Sequence, residues 1–187
     1  PAVEITAQVK RPTQARAVAS GPGIGIQKRR APPAGRILFP FNQLDTSGHW
    51  WNYAVFSDDG GATWNYGTLV DDTQTPGQGN EVQFVERSDG SVLLNSRSNG
   101  GTRHRKTAVS VNGGATFMPM SEDAKLNEPQ VMASVLRFTD PLDGYRNRIA
   151  YAGPNSQGSR SNGTVHLSYD DGAIWTESKM IHVGFYA

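Results

Sequence analysis

The chain has 187 residues, of which 36% are hydrophobic, so it is long enough to bury a substantial core. Its formal net charge of +1 argues against nucleic acid or an anionic membrane as the main partner, and the absence of cysteine excludes disulfides and thiol chemistry. No apolar run approaches the roughly 20 residues that a membrane-spanning helix needs.

Near the start of the chain, a glycine-rich segment leads directly into a basic one. Residues 21–27 read GPGIGIQ, and residues 27–33 read QKRRAPP. A dinucleotide-binding loop has to open a helix, and no helical pattern follows these glycines. The basic run of Lys28, Arg29 and Arg30 is typical of a solvated loop rather than of a docking patch.

Short runs with strand composition follow, each bounded by Gly, Asp, Asn, Ser or Pro. No capped amphipathic helix of three turns interrupts them, so the pattern predicts an all-β fold. In chain order the predicted strands are residues 36–39, 52–56, 81–85, 91–95, 106–110, 131–138, 148–151 and 165–168.

One octet recurs among these runs. Residues 57–64 read SDDGGATW, residues 110–117 read SVNGGATF and residues 168–175 read SYDDGAIW, so that their first serines lie 53 and 58 residues apart. The octet predicts a β-hairpin turn in which Asp59, Asn112 and Asp170 accept backbone hydrogen bonds and Gly supplies positive φ. The spacing of a calcium loop is not met, which leaves these residues a structural role.

The octet spacing is typical of a repeat architecture. Many short strands with a hairpin marker about every 50 residues indicate blades of a β-propeller, each a four-stranded antiparallel sheet. A chain of this length supplies about three to four such blades, and a closed propeller usually needs more. Residues 1–187 are therefore expected to be a partial propeller, truncated at both ends, which further blades complete.

Two more segments carry chemistry-bearing residues at fixed spacing. Residues 80–97 read NEVQFVERSDGSVLLNSR, and residues 154–165 read PNSQGSRSNGTV. Together with the glycine-rich segment and the octets, they make the chain similar in register to the exo-α-sialidases, whose Asp boxes, or BNR repeats, the octets resemble. This resemblance implies a six-bladed propeller.

The resemblance also implies roles for three residues. Glu81 matches the family's catalytic glutamate, while Arg97 and Arg160 match two of the three arginines that clamp the substrate carboxylate. The nucleophilic tyrosine is expected directly after Ala187, with Tyr186 as a weaker alternative. The catalytic acid and the first arginine are expected before Pro1.

Other interpretations of individual residues stay open at this point. Glu81 at a strand start and the two arginines are solvent-exposed by default. Arg103 and Arg105 form a competing anion site if they share one face of a strand. Trp50 and Trp51 beside Tyr53 fit either a sugar-binding rim or packing between blades.

The expected activity is hydrolysis of terminal α-linked sialic acids from glycoconjugates, with retention, through a tyrosyl-sugar intermediate. No cofactor and no metal is implied, and sialylated glycans are the expected partners. A secreted or periplasmic location follows from where such substrates occur. The alternatives are a trans-sialidase on the same fold and a non-catalytic Asp-box propeller that binds glycans or proteins.

Overall fold

The computed structural model describes residues 2–11 and 15–186, which form three antiparallel β-sheets in chain order. The positions expected before Pro1, at Ala187 and after it lie outside the described residues. A short helix, α1 (Thr6–Val9), precedes the sheets. The first sheet contains β1 (Ala15–Ser20), β2 (Ile26–Gln27), β3 (Ile37–Asp45), β4 (Trp50–Ser57) and β5 (Asn65–Tyr66).

The second and third sheets each have four strands that pair in sequence order. The second contains β6 (Gln78–Glu86), β7 (Val92–Asn99), β8 (His104–Ser110) and β9 (Ser121–Asn127). The third contains β10 (Ser134–Thr139), β11 (Arg148–Pro154), β12 (Ser161–Ser168) and β13 (Glu177–Phe185), with a short 3-10 turn at Pro141–Asp143 between its first two strands. The prediction of an all-β fold built from four-stranded antiparallel blades is confirmed.

All eight predicted runs fall on strands, although β10 begins at residue 134 rather than 131. Five strands were not predicted, and the physical reason why the sequence does not reveal them differs from strand to strand. β2 and β5 have two residues each, too few to show a pattern. β1 and the polar β9 have few buried residues, and β13 is exposed along its whole length, so neither alternation nor an apolar run marks them.

The core consists of apolar layers between consecutive sheets. Leu38 and Phe56 of the first sheet pack with Phe84 of the second, whereas Val85 of the second packs with Val135 of the third. Adjacent residues of β6 thus face opposite neighbours, as the two-residue period of a strand requires. β6 and β7 of the second sheet are largely buried, which explains the apolar runs in these two strands.

The three octets lie at one end of the sheets, where each joins the last two strands of its sheet; we call this the box end. The predicted turn role is confirmed: the Asp59 carboxylate accepts hydrogen bonds from Thr63 N at 2.9 Å and from Thr63 Oγ1 at 2.6 Å. Two hydrogen bonds from backbone N–H groups to side-chain oxygens recur in every octet at 2.8–2.9 Å. The hydroxyl of the first serine accepts from the fifth residue, which is Gly61, Gly114 or Gly172. The side chain of the third residue accepts from the seventh, which is Thr63, Thr116 or Ile174.

The basic run lies at the box end, and the prediction of a solvated loop is wrong for two of its three residues. Lys28 is only 1% exposed and donates to Glu86 Oε1 at 3.0 Å, while Arg30 pairs with the buried Asp140. The Glu86 carboxylate also accepts the backbone N–H groups of Arg29 and Arg30, at 2.8 and 2.9 Å. The loop folds over this carboxylate because a buried charge has to be paired and hydrogen-bonded.

Candidate active site

The other end of the sheets, which we call the far end, carries the three residues that the sequence singles out. It is formed by the start of β6, the end of β7 and the connections at residues 46–49, 100–103 and 155–160. Glu81 lies on β6, Arg97 on β7, and Arg160 in the connection between β11 and β12. Loops and strand ends of this kind are where propellers and other rigid scaffolds carry binding groups.

Glu81 lies in a β-bulge. In the pairing of β6 with β7, Gly79 is opposite Ser98 and Val82 is opposite Ser96. Asn80 and Glu81 therefore share the single residue Arg97 as their counterpart. A bulge of this kind bends the strand and re-aims a side chain, and bulges are over-represented next to active sites.

The bulge brings Glu81 and Arg97 into direct contact. Arg97 Nη1 donates to Glu81 Oε2 at 3.0 Å. The Glu81 side chain is 28% exposed and the Arg97 side chain is 23% exposed. Within the described residues, Glu81 is the one acceptor that Arg97 contacts. A guanidinium carries five N–H donors, and because Arg97 Nε is buried without a partner, it is the Nη groups that a ligand approaching from solvent can meet.

Arg160 belongs to the same end but does not touch this pair. Its Nη2 donates to the carbonyl oxygen of Gln130 at 3.3 Å. Two residues earlier, Glu128 accepts the backbone N–H of Ser98, the neighbour of Arg97, at 3.0 Å. The segment at residues 128–131 thus links Arg160 to the strand that carries Arg97.

That segment rests on a fully buried ion pair. Arg105 Nη1 lies 3.6 Å from Glu128 Oε2, both side chains are 0% exposed, and Arg105 Nε donates to Asn95 Oδ1 at 2.8 Å. Burial raises the pKa of Glu128, and the charge of Arg105 opposes that shift. A competing anion site at Arg103 and Arg105 is therefore wrong: β8 begins after Arg103, and Arg105 already neutralises Glu128 inside the core.

The aromatic residues divide between core and surface. Tyr53 is fully buried, donates to the Val9 carbonyl at 3.0 Å and packs at 5.6 Å from the Phe41 ring, so it belongs to the core of the first sheet. Trp51 is only partly buried, and its Nε1 donates to Asp45 at 2.8 Å.

Tyr186 follows the end of β13, directly beside Arg160. Its backbone N–H donates to the Arg160 carbonyl at 2.8 Å. Its ring lies so close over Gly163 that an added Cβ there would be 2.3 Å from a ring atom. Tyr186 is therefore held at the far end.

A cavity of about 490 Å³ lies elsewhere, between β6 and β10, and its lining includes Gln83, Leu136 and Asp140 but neither Glu81 nor Arg97.

In residues 2–11 and 15–186 no three His, Asp or Glu side chains cluster as metal ligands would. No helix in that part of the chain is long and apolar enough to cross a membrane.

Three residues beneath the site were missed by sequence reasoning: Asn52, Asp72 and Glu128. Asn52 and Asp72 contact the backbone of the bulge, and Glu128 contacts the backbone next to Arg97. Asn52 and Glu128 lie 28 and 30 residues from the backbone groups that they contact, and Asp72 lies seven residues from Gly79. No spacing rule connects them with the residues that they support.

Comparison with known proteins places these features in context. Residues 6–185 match the family model described as a BNR repeat-like domain. Over 166 residues the chain is 39% identical to a sialidase of Micromonospora viridifaciens, and this alignment covers 87% of this chain and 25% of that protein. Over 150 residues it is 30% identical to the anhydrosialidase of Macrobdella decora, and this alignment covers 79% of this chain and 18% of that protein.

The fold has close structural neighbours as well. The structure of the Hadza microbial sialidase Hz136 matches with a TM-score of 0.82 and 26% identity, over 98% of this chain and 34% of that one. The chain spans about a quarter of the length of the sialidase of Micromonospora viridifaciens.

Proposed function

Because the chain belongs to the family of BNR repeat-like domains, we propose that it is part of a retaining exo-α-sialidase that removes terminal sialic acids from glycoconjugates. The observation that carries the proposal is the bulge that sets Glu81 against Arg97 at 3.0 Å while both side chains reach solvent. The relatives named sialidases support the same substrate class.

The arginines suit this substrate because a sialic acid bears a carboxylate on its anomeric carbon. A guanidinium is planar, permanently charged and able to form two parallel hydrogen bonds with a carboxylate. In the proposal Arg97 binds the substrate through the N–H groups that Glu81 leaves unused, and Arg160 contributes a second guanidinium. The sugar then lies next to the Glu81 carboxylate.

Glu81 acts in this proposal as the base for a tyrosine nucleophile. A neutral tyrosine attacks the anomeric carbon without the repulsion that a carboxylate would meet beside the substrate's own charge, and sialidases are a known exception to the two-carboxylate pattern of glycosidases. Tyrosine has a reference pKa near 10, so it needs a base to take its proton as it attacks. The proposed nucleophile follows Ala187, and Tyr186 beside Arg160 is the alternative.

The remaining parts of the proposal concern the whole protein. The catalytic acid and one arginine come from outside these residues, and further blades close the propeller. The 187-residue chain alone is then inactive, no cofactor takes part, and the protein acts where sialylated glycans are found, outside the cell or in a periplasm.

Transfer of the sugar within the substrate, instead of hydrolysis, is the second candidate function. It is favoured by the similarity to the leech intramolecular trans-sialidase, whose structure matches with a TM-score of 0.74 and 25% identity. The two candidates share Glu81, Arg97 and Arg160 and differ in the product released, which chromatography of the reaction mixture distinguishes.

The test is turnover of a fluorogenic α-sialoside by the natural protein that contains these residues. We expect Glu81→Gln to lower the rate by a factor on the order of 10² to 10⁴, because the nucleophile loses its base. The matched control is Glu177→Gln, since Glu177 is exposed on β13 at the box end. An inactive wild-type protein would favour a glycan-binding propeller, and unchanged turnover in Glu81→Gln would remove the assigned base.

A further inference from the structure

The bulge that carries Glu81 is held by side chains of other segments. Asn52 Nδ2 donates to the Asn80 carbonyl oxygen at 2.6 Å, and Asp72 Oδ2 accepts the N–H of Gly79 at 2.9 Å. Within the second sheet, Ser96 Oγ accepts the N–H of Asn80 at 2.9 Å. Asn52 lies on β4 of the first sheet, so a neighbouring blade supports the bulge directly.

The bond from Asn52 acts on the peptide unit that leads into Glu81. The Asn80 carbonyl and the Glu81 N–H belong to the same planar peptide. Asn52 Nδ2 donates to the carbonyl oxygen of this peptide, and Asn80 Oδ1 accepts the N–H of the same peptide at 3.0 Å. Since the extra residue of a bulge lacks a ladder partner, these two bonds determine how the peptide plane, and with it the Glu81 side chain, is turned.

Packing leaves Asn52 little freedom. Asn52 is 0% exposed, and a Cβ added at Gly79 would be 2.3 Å from Asn52 Oδ1. The glycine therefore allows the amide to approach the bulge backbone. Asn52 Oδ1 is buried with no hydrogen-bond partner, which costs free energy. The bond from Nδ2 to the Asn80 carbonyl is the hydrogen bond that keeps this amide in place, and it is made to the bulge.

We propose that Asn52 is a positioning residue that turns the Glu81 carboxylate toward Arg97 and the reacting tyrosine, an inference that rests on the proposed role of Glu81 as base. Asn52 itself touches neither substrate nor reacting atoms. Its effect passes through the Asn80 carbonyl, across the boundary between the first and second blades.

The test compares Asn52→Ala with Asn42→Ala in the natural protein. Asn42 is the register partner of Asn52 on β3, is 5% exposed, and makes no side-chain hydrogen bond to the bulge in the described part of the chain, so the control removes a similar buried amide. We expect Asn52→Ala to lower kcat by about 10- to 100-fold, the range for a group misplaced by about 1 Å. KM for the sialoside should change less than about twofold, because Asn52 makes no side-chain hydrogen bond to β7, the strand that carries Arg97.

A crystal structure of the Asn52→Ala protein supplies a readout that does not depend on activity. The inference predicts that the peptide between residues 80 and 81 rotates and that the 3.0 Å contact between Glu81 and Arg97 is lost. A variant with the bulge unchanged, or with kcat no lower than that of Asn42→Ala, would overturn the inference. An inactive wild-type protein whose bulge still moves in the variant would refute the proposed function and leave the positioning role standing.

Discussion

The two ends of the three sheets are built on different principles. At the box end, one turn is repeated three times, and the bonds that define it join residues two or four positions apart. At the far end, the structure does not repeat, and bonds made by the side chains of Asn52, Arg97 and Glu128 join residues 16 to 30 positions apart. The octet turns of the box end are encoded by local sequence, whereas the arrangement around Glu81 and Arg97 depends on how the blades meet.

This difference explains where chemistry is found. The box turns use the same few polar groups for their own backbone, which leaves little for a ligand. At the far end, a guanidinium and a carboxylate face each other in a bulge and are partly exposed. The repeated element stabilises the scaffold, and the irregular element is available for function.

The largest effect on stability is expected at the far end, from Glu128→Ala. The change leaves Arg105 as an unpaired buried charge and removes the acceptor for the Ser98 and Val131 N–H groups, so we expect a loss of about 3–5 kcal/mol. Urea denaturation of the natural protein measures it. Glu177→Ala, an exposed change, should stay within about 0.5 kcal/mol, and a similar small value for Glu128→Ala would mean that this pair does not support the far end.

A smaller effect is expected at the box end, from Ser57→Ala. Ser57 is fully buried, and its Oγ accepts the N–H of Gly61 at 2.8 Å, so the variant leaves a donor unsatisfied at a cost of about 1–3 kcal/mol. Because the turn repeats, Ser110→Ala and Ser168→Ala should cost about the same, with no change in KM. Costs that differ widely among the three would break the equivalence of the octets.

The smallest effect is expected from Asp59→Asn, and it depends on pH. Hydrogen bonds from Thr63 and Ser57 lower the pKa of Asp59 to about 2. A carboxyl with a lowered folded-state pKa stabilises the fold above its ordinary range near 4, and this contribution is lost as the pH falls through about 2. Asp59→Asn should therefore flatten the decline of the thermal midpoint between pH 4 and pH 2.

The second octet supplies the control for that experiment, because it already has Asn112 in place of the aspartate. Replacing Asn112 by Asp should make the decline in that pH range steeper. An acid profile that neither change alters would mean that the octet carboxylates do not contribute to acid stability.

Much of the fold follows from the sequence because its signals are short in range. Alternation and bounded apolar runs predicted eight of the strands, and the octets predicted the turns with their Asp59-type acceptors. Strands without burial, such as β13, gave no such signal. The basic run of Lys28 and Arg30 was misread because its partners, Glu86 and Asp140, lie more than 50 residues away.

The candidate site divides in the same way. Glu81, Arg97 and Arg160 were identified by the resemblance of their segments to those of exo-α-sialidases, and their roles stay predictions until the variants are assayed. The burial of Arg105 and the support from Asn52 and Glu128 depend on contacts between sheets and between distant segments. The sequence by itself determined eight of the strands and the octet turns, since these depend on neighbours along the chain, and its resemblance to a known family supplied the candidate residues. Only the tertiary structure decided how Glu81 is turned, because the hydrogen bond to its peptide comes from another blade.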